Sequence, residues 1–190
     1  MARRHGAPPD AGQLLAIYLN DHLAGSSGGL SLIRRIARNH RDTPLEASLT
    51  HLAREISEDR DSLREIMRVL GIPRRRVRAV LGALAERAGR LKLNGRLVSR
   101  SPLSDVLEFE AMRLGVEAKG ALWSALRSVA DADPRLDRGA LERLQDRARH
   151  QAGVLEDLRL AAAARAFEPS GTAPRPTAQA AAGGRGRTGP

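Results

Sequence analysis

The chain has 190 residues, enough for one domain with a real core, and a formal net charge of +10. Aromatic residues make up only 2% and cysteine is absent. That composition argues against β-sandwiches, barrels and base-stacking platforms, and it excludes disulfides, thiolate zinc sites, iron–sulfur clusters and thiol nucleophiles. Ala, Leu and Arg dominate, all strong helix formers, and Lys92 and Lys119 are the two lysines among the arginines.

Residues 1–9 are basic and contain Pro8 and Pro9, so a flexible N-terminus is expected. Asp10 is a good N-cap for a first long helix, with a stripe of Leu15, Tyr18, His22, Gly25, Gly29, Ile33 and Ile36 at steps of three and four. Gly25 and Gly29 on that stripe imply close approach of a neighbouring helix, room in the core, or a locally weakened helix, since glycine inside a helix costs about 1 kcal/mol relative to alanine. Arg41 to Thr43 form a turn, and Thr43-Pro44-Leu45-Glu46 reads as a capping box with Pro at the first helical position. The second stripe is Leu45, Leu49, Leu52, Ile56, Asp59, Leu63, Ile66 and Leu70, ended by Gly71-Ile72-Pro73.

A long crossover, 73–101, follows, with a short helix expected over about Arg75 to Ala88 and a turn at Asn94-Gly95. Ser101-Pro102 opens the third long helix, whose stripe is read as Leu103, Leu107, Glu110, Leu114, Glu117 and Ala121, with Val106, Phe109, Val116 and Trp123 alongside. Asp131 to Pro134 break it. The fourth helix runs from about Asp137 to Ala166, with Leu141, Leu144, Ala148, Gln151, Leu155, Leu158 and Ala162 inward. Residues 168–190 form a basic Gly/Pro/Ala tail with no apolar periodicity, expected to be disordered. The fold class expected is all-α: an antiparallel four-helix bundle over 10–167 with a short crossover helix.

Each apolar stripe carries a polar interruption near its middle: His22, then Asp59, then Glu110 and Glu117, then Gln151 with His150 beside it. In an antiparallel pair, residues equidistant from the turn lie side by side. Asp59 therefore falls opposite Gly25, within about one turn of His22, and His150 falls opposite Glu117. Buried carboxylates and imidazoles must pair with one another or bind a metal. One expectation is a set of buried hydrogen-bonded ion pairs, with Tyr18 as the hydrogen-bond partner of His22. Another is a metal site drawn from His22, Asp59, Glu110, Glu117 and His150, taking iron or manganese.

The segments LLAIYLNDHLAG (from Leu14), HLAREISEDRDSLREIM (from His51), LEFEAMRLGVEAKGALWSAL (from Leu107) and QAGVLEDLRL (from Gln151), with the two-hairpin layout, resemble the ferritin-like (rubrerythrin/ferritin-type) superfamily. The resemblance implies an antiparallel four-helix bundle and, in members with a di-iron site, one Glu on each of two helices and Glu-x-x-His on each of the other two. This chain departs from that set. Its first helix has no glutamate, its second reads Glu55-Ile56-Ser57-Glu58, and its fourth has Arg147-Ala148-Arg149-His150, with Arg where the motif has Glu. An Arg in place of a bridging carboxylate repels two cations.

Charge concentrates in the crossover. Residues 73–100 hold nine basic residues, among them Arg74, Arg75, Arg76, Arg78, Arg90 and Lys92, against the single acid Glu86. Such a cluster is either a solvated face or a phosphate-binding surface without base specificity, since no base-reading motif accompanies it. No P-loop, GxGxxG or GxSxG is present, and His51 with Glu55 reads as a surface pair. No signal-peptide pattern and no run of about 18 apolar residues appear, so a cytoplasmic protein without a membrane partner is expected. Three functions follow as expectations. The first is a non-catalytic ferritin-like bundle with a degenerate metal site and no cofactor, an interaction or stress-associated protein whose partner is another protein or a second copy. The second is a metal-binding or di-iron oxygen-reacting protein. The third is a nonspecific nucleic-acid binder acting through the crossover.

Overall fold

The computed structural model describes residues 10–75 and 101–168, and it is helical there, with no strand among the described residues. The four helices are α1 (Ala11–Asn39), α2 (Glu46–Val69), α3 (Pro102–Val129) and α4 (Arg138–Phe167). The expected crossover helix, the N-terminal nine residues and the tail beyond Glu168 lie outside the described residues. None of the described helices is long and apolar enough to cross a membrane.

Local chemistry sets the helix ends. Asp10 accepts a hydrogen bond from the Gln13 amide at 2.7 Å, Asp137 from Ala140 at 2.9 Å, and Ser101 from Leu103, so three helices start on side-chain caps. The expected capping box at Thr43 with Pro44 at the first helical position is corrected: α2 begins two residues later, with Leu45 as its N-cap and no side-chain cap. Thr43 Oγ1 accepts from the Leu45 amide, and the Glu46 carboxylate reaches back to the amide of Asp42 at 2.9 Å instead of that of Thr43. Asp42 sits at φ +60°, which turns the chain one residue before the box and moves its amide into reach. Gly71 ends α2 at φ +71°, as its glycine predicts.

Packing follows pairs whose residue numbers rise on one helix as they fall on its neighbour. Between α1 and α2, Arg60 donates to Ser27 Oγ at 2.9 Å, while the Asn20 side chain donates to the Pro73 carbonyl and accepts from the Arg75 amide at 2.6 Å. Between α3 and α4, Arg113 pairs with Glu156 at 3.3 Å and Arg127 with Glu142 at 3.7 Å. Between α1 and α3, Arg35 pairs with Glu108 at 3.3 Å and buried His40 faces Asp105 at 3.6 Å. A Cβ built on Gly120 would lie 3.6 Å from the Ala148 Cβ, so small residues bring α3 and α4 close together.

The core is one cluster fed by all four helices, with Ile33 and Ile36 of α1, Leu49 and Met67 of α2, Phe109 and Trp123 of α3, and Leu155 of α4 at its centre. Each such side chain contributes about 1.5–3 kcal/mol by leaving water. The second and fourth stripes bury as the spacing predicts, with Met67 added. The first does so only in its C-terminal half, at Ile33 and Ile36, and the third does not. α1 buries Leu19, Asn20 and Leu23 rather than Tyr18 and His22, and α3 buries Val106, Phe109, Met112, Val116, Trp123 and Leu126. Leu114, placed on the inward stripe of the third helix by its spacing, is 53% exposed. Two apolar rows at helical spacing compete on α3, and the row carrying both large aromatic rings faces inward because it removes more area from water.

Candidate functional site

The polar residue that α2 carries into the core is Asp59, on the row Leu52, Ile56, Asp59, Leu63 and only 1% exposed. Three side chains converge on it. Lys119 of α3 donates its Nζ to Asp59 Oδ2 and to Gln151 Oε1. Arg147 of α4 places Nη2 on Asp59 Oδ1 and Nη1 3.3 Å from Glu58 Oε2. Gln151, wholly buried, donates its amide to Glu55 Oε2 at 3.1 Å and to Asp59 Oδ2 at 3.3 Å. Beyond them, Glu58 meets Arg54 at 2.5 Å and Glu55 meets exposed His51 at 3.1 Å, so the layer grades into a surface network on α2.

Burial of Lys119 pushes its ammonium below the usual lysine range, and the charge of Asp59 and its hydrogen bond oppose that shift. The buried carboxylate is met by two cations, Lys119 and Arg147, and by the neutral amide of Gln151. That arrangement sets helix register and keeps the charge from being stranded. Spread through the layer are three carboxylates and two fixed cations, all carried on helix faces three or four residues apart.

The five proposed metal-site residues separate. Asp59 is at the centre of the layer. His22 is half-buried and lines the same cavity as Asp59, but no hydrogen bond or ion pair joins them among the described residues. Desolvation holds the imidazole of His22 below its ordinary value, with Asp21 pulling the other way. The expected hydrogen bond from Tyr18 is corrected to a ring contact, edge to face at 4.6 Å between centroids. Glu110, Glu117 and His150 are exposed and do not enter the layer. Glu117 pairs instead with Arg113 at 2.9 Å on the outer face of α3. Their misplacement has one cause each: α3 is turned so that its aromatic row faces inward, and His150 is the outward neighbour of buried Gln151. Among the described residues, no three His, Asp or Glu side chains are grouped so as to hold a metal ion.

Lys119 and Arg147 are the residues the stripe reading missed. A signal for each is present in the sequence. Lys119 is one of two lysines in an arginine-rich chain and lies on the row of Phe109, Val116 and Trp123, and Arg147 stands where the resemblance wants an acid. Of the proposed anion-binding residues, Arg74 and Arg75 are exposed, while Arg76, Arg78, Arg90 and Lys92 lie outside the described residues.

A second feature adjoins the layer. A cleft of about 870 Å³ runs along α1 from Tyr18 to Arg35 and along α3 from Glu108 to Trp123, with buried Ile56, Asp59 and Leu63 of α2 at its base. Gly25 and Gly29 line it, and a Cβ at Gly25 would meet no atom within 4 Å. Of the meanings open for these glycines, Gly25 marks room among the described residues, and Gly29 marks approach, since a Cβ built there would lie 3.6 Å from Met112 Cε. No family model, no curated protein and no solved structure matches this chain.

Proposed function

We propose that this chain is a non-catalytic helical bundle of the ferritin-like type, antiparallel in its helix pairs, whose metal layer is replaced by protein charges and which works by binding a partner. The observation that carries the reading is the placement of two cations, the ammonium of Lys119 and the guanidinium of Arg147, on the two oxygens of Asp59. In a bundle that holds two metal ions, inward carboxylates supply the negative charge. Here those charges are already met by side chains, and Arg147 occupies the position where the resemblance implies Glu. The remaining donors, Glu110, Glu117 and His150, are exposed on other faces. This donor set does not fit a pair of metal cations, so no reaction step is assigned to one. The opposed numbering of the contacts between α1 and α2, and between α3 and α4, supports the antiparallel arrangement.

Metal analysis of protein expressed in iron- or manganese-supplemented medium tests this. Less than about 0.1 metal ion per chain is expected, because a site lacking its ligand count does not hold a metal. Two ions per chain, lost in Asp59→Asn, would sink the proposal.

A further inference from the structure

The cleft between α1 and α3 is large and mostly apolar, and three basic side chains, Arg35, Arg60 and Lys119, and three acidic ones, Asp21, Asp59 and Glu108, line it. Its volume of about 870 Å³ lies in the range of about 300–1,000 Å³ typical of small-molecule sites. Its apolar wall includes Met112, Leu122 and Trp123. α1 contributes to the space at Gly25, where a Cβ would meet no atom of the described residues within 4 Å.

Four of the six charged groups lining the cleft are paired, and Asp21 and Arg60 have no ion pair among the described residues. Arg35 is met by Glu108, and Lys119 by Asp59. Asp21 sits exposed at the rim beside His22. Half-buried Arg60 has no carboxylate within ion-pair distance among the described residues; it donates to Ser27 Oγ at 2.9 Å, and its buried Nε has no hydrogen-bond partner. Burial chiefly lowers its basicity, with Arg64 and Arg34 acting the same way and Asp61 opposing them, and an anion at the guanidinium would supply the ion-pair partner it lacks.

We propose that the α1/α3 cleft binds a single-chain amphiphile with an anionic head group, its apolar chain lying on Gly25, Met112, Leu122 and Trp123 and its head on Arg60. The proposal goes beyond the reading of the ion-pair layer and does not depend on it, since metal content and amphiphile binding are measured separately.

Trp123 is the chain's one tryptophan and lines the cleft, so its emission reports the site without a label. Full-length protein is titrated with dodecanoate below its micelle concentration and, in parallel, with neutral dodecanol. Expected is a saturable change in Trp123 emission at one dodecanoate per chain, with dodecanol about tenfold weaker because it lacks the charge-assisted contact. Arg60→Gln lowers dodecanoate affinity about tenfold, to the level of dodecanol. Gly25→Leu fills the open space and abolishes binding of both while the helical circular dichroism persists. Should that variant fail to fold, 11-bromoundecanoate locates the ligand in the wild-type protein, since its terminal bromine quenches Trp123 only at contact. Absence of saturable change with dodecanoate overturns the proposal, as does equal affinity for the two probes, an unaffected Arg60→Gln variant, binding retained in folded Gly25→Leu, or no quenching by the bromo acid. An emission shift that follows protein concentration without ligand, with dimer in sedimentation, overturns it in favour of a second copy in the cleft.

Discussion

At the scale of single residues, Asp59 shows what a buried charge demands. With Lys119, Arg147 and Gln151 in place it is neutralised, and removing one partner leaves the others exposed to the full cost of burial. Asp59→Leu alone and Lys119→Met alone are each expected to lose about 3–5 kcal/mol in urea unfolding. The double variant is expected to recover most of that loss, because two apolar side chains of similar volume replace the pair and Arg147 keeps Glu58. Additive losses in the double variant would show that the two side chains act independently. His22 supplies a pH signature. Its imidazole is held below its ordinary value of 6.5 by burial, so the unfolded chain binds the proton more readily. Its contribution is unchanged above pH 6.5, and stability falls as pH drops from there through the lowered folded value. The difference in melting temperature between wild type and His22→Phe, followed from pH 8 to 5, should grow in favour of the variant below about pH 6.5. A difference independent of pH would place the imidazole in water.

At the scale of elements, the glycines divide by what surrounds them. Gly25→Ala adds a methyl group where nothing lies within 4 Å and improves helix propensity, so a gain of about 0.5–1 kcal/mol is expected. Gly71→Ala forces a Cβ into the positive-φ cap of α2 and is expected to lose about 1 kcal/mol. Thermal melts of the two variants check both signs. Helix ends and heights were legible from the chain: Asp10, Ser101 and Asp137 cap where their side chains predict, and Asp59 shares a cleft with Gly25, as counting from the turn implies. Rotation about the helix axis was not legible. On α3 the row of Leu107, Glu110 and Leu114 and the row of Phe109, Met112 and Val116 both have helical spacing, and the choice between them depends on the area each buries against α1, α2 and α4. That one setting moved Glu110 and Glu117 to the surface and brought Lys119 in.

For the whole molecule, the two helix pairs are joined through α1 against α3 and through the side chains that reach Asp59 from α3 and α4. α3 and α4 share the most extensive contact, with Gly120 against Ala148. α1 is the helix whose N-terminal half presents Leu14, Ile17 and Tyr18 to solvent and whose middle borders the cleft. Native-state hydrogen exchange should therefore be fastest in α1 from about Leu14 to Gly29 and slowest in the facing stretches of α3 and α4. Uniform protection along α1 would contradict this ordering of local stability.

From its order of residues alone the chain determines four long helices, the caps of α1, α3 and α4 and the shared height of Asp59 and Gly25, because caps and rise per residue are local properties. The tertiary structure alone decided which side of α1 and α3 faces inward, that Lys119 and Arg147 meet Asp59, and that a cleft remains beside Gly25. The reason is that helix rotation and interhelical gaps minimise the exposed apolar area of all four helices together, a sum that no single stripe contains.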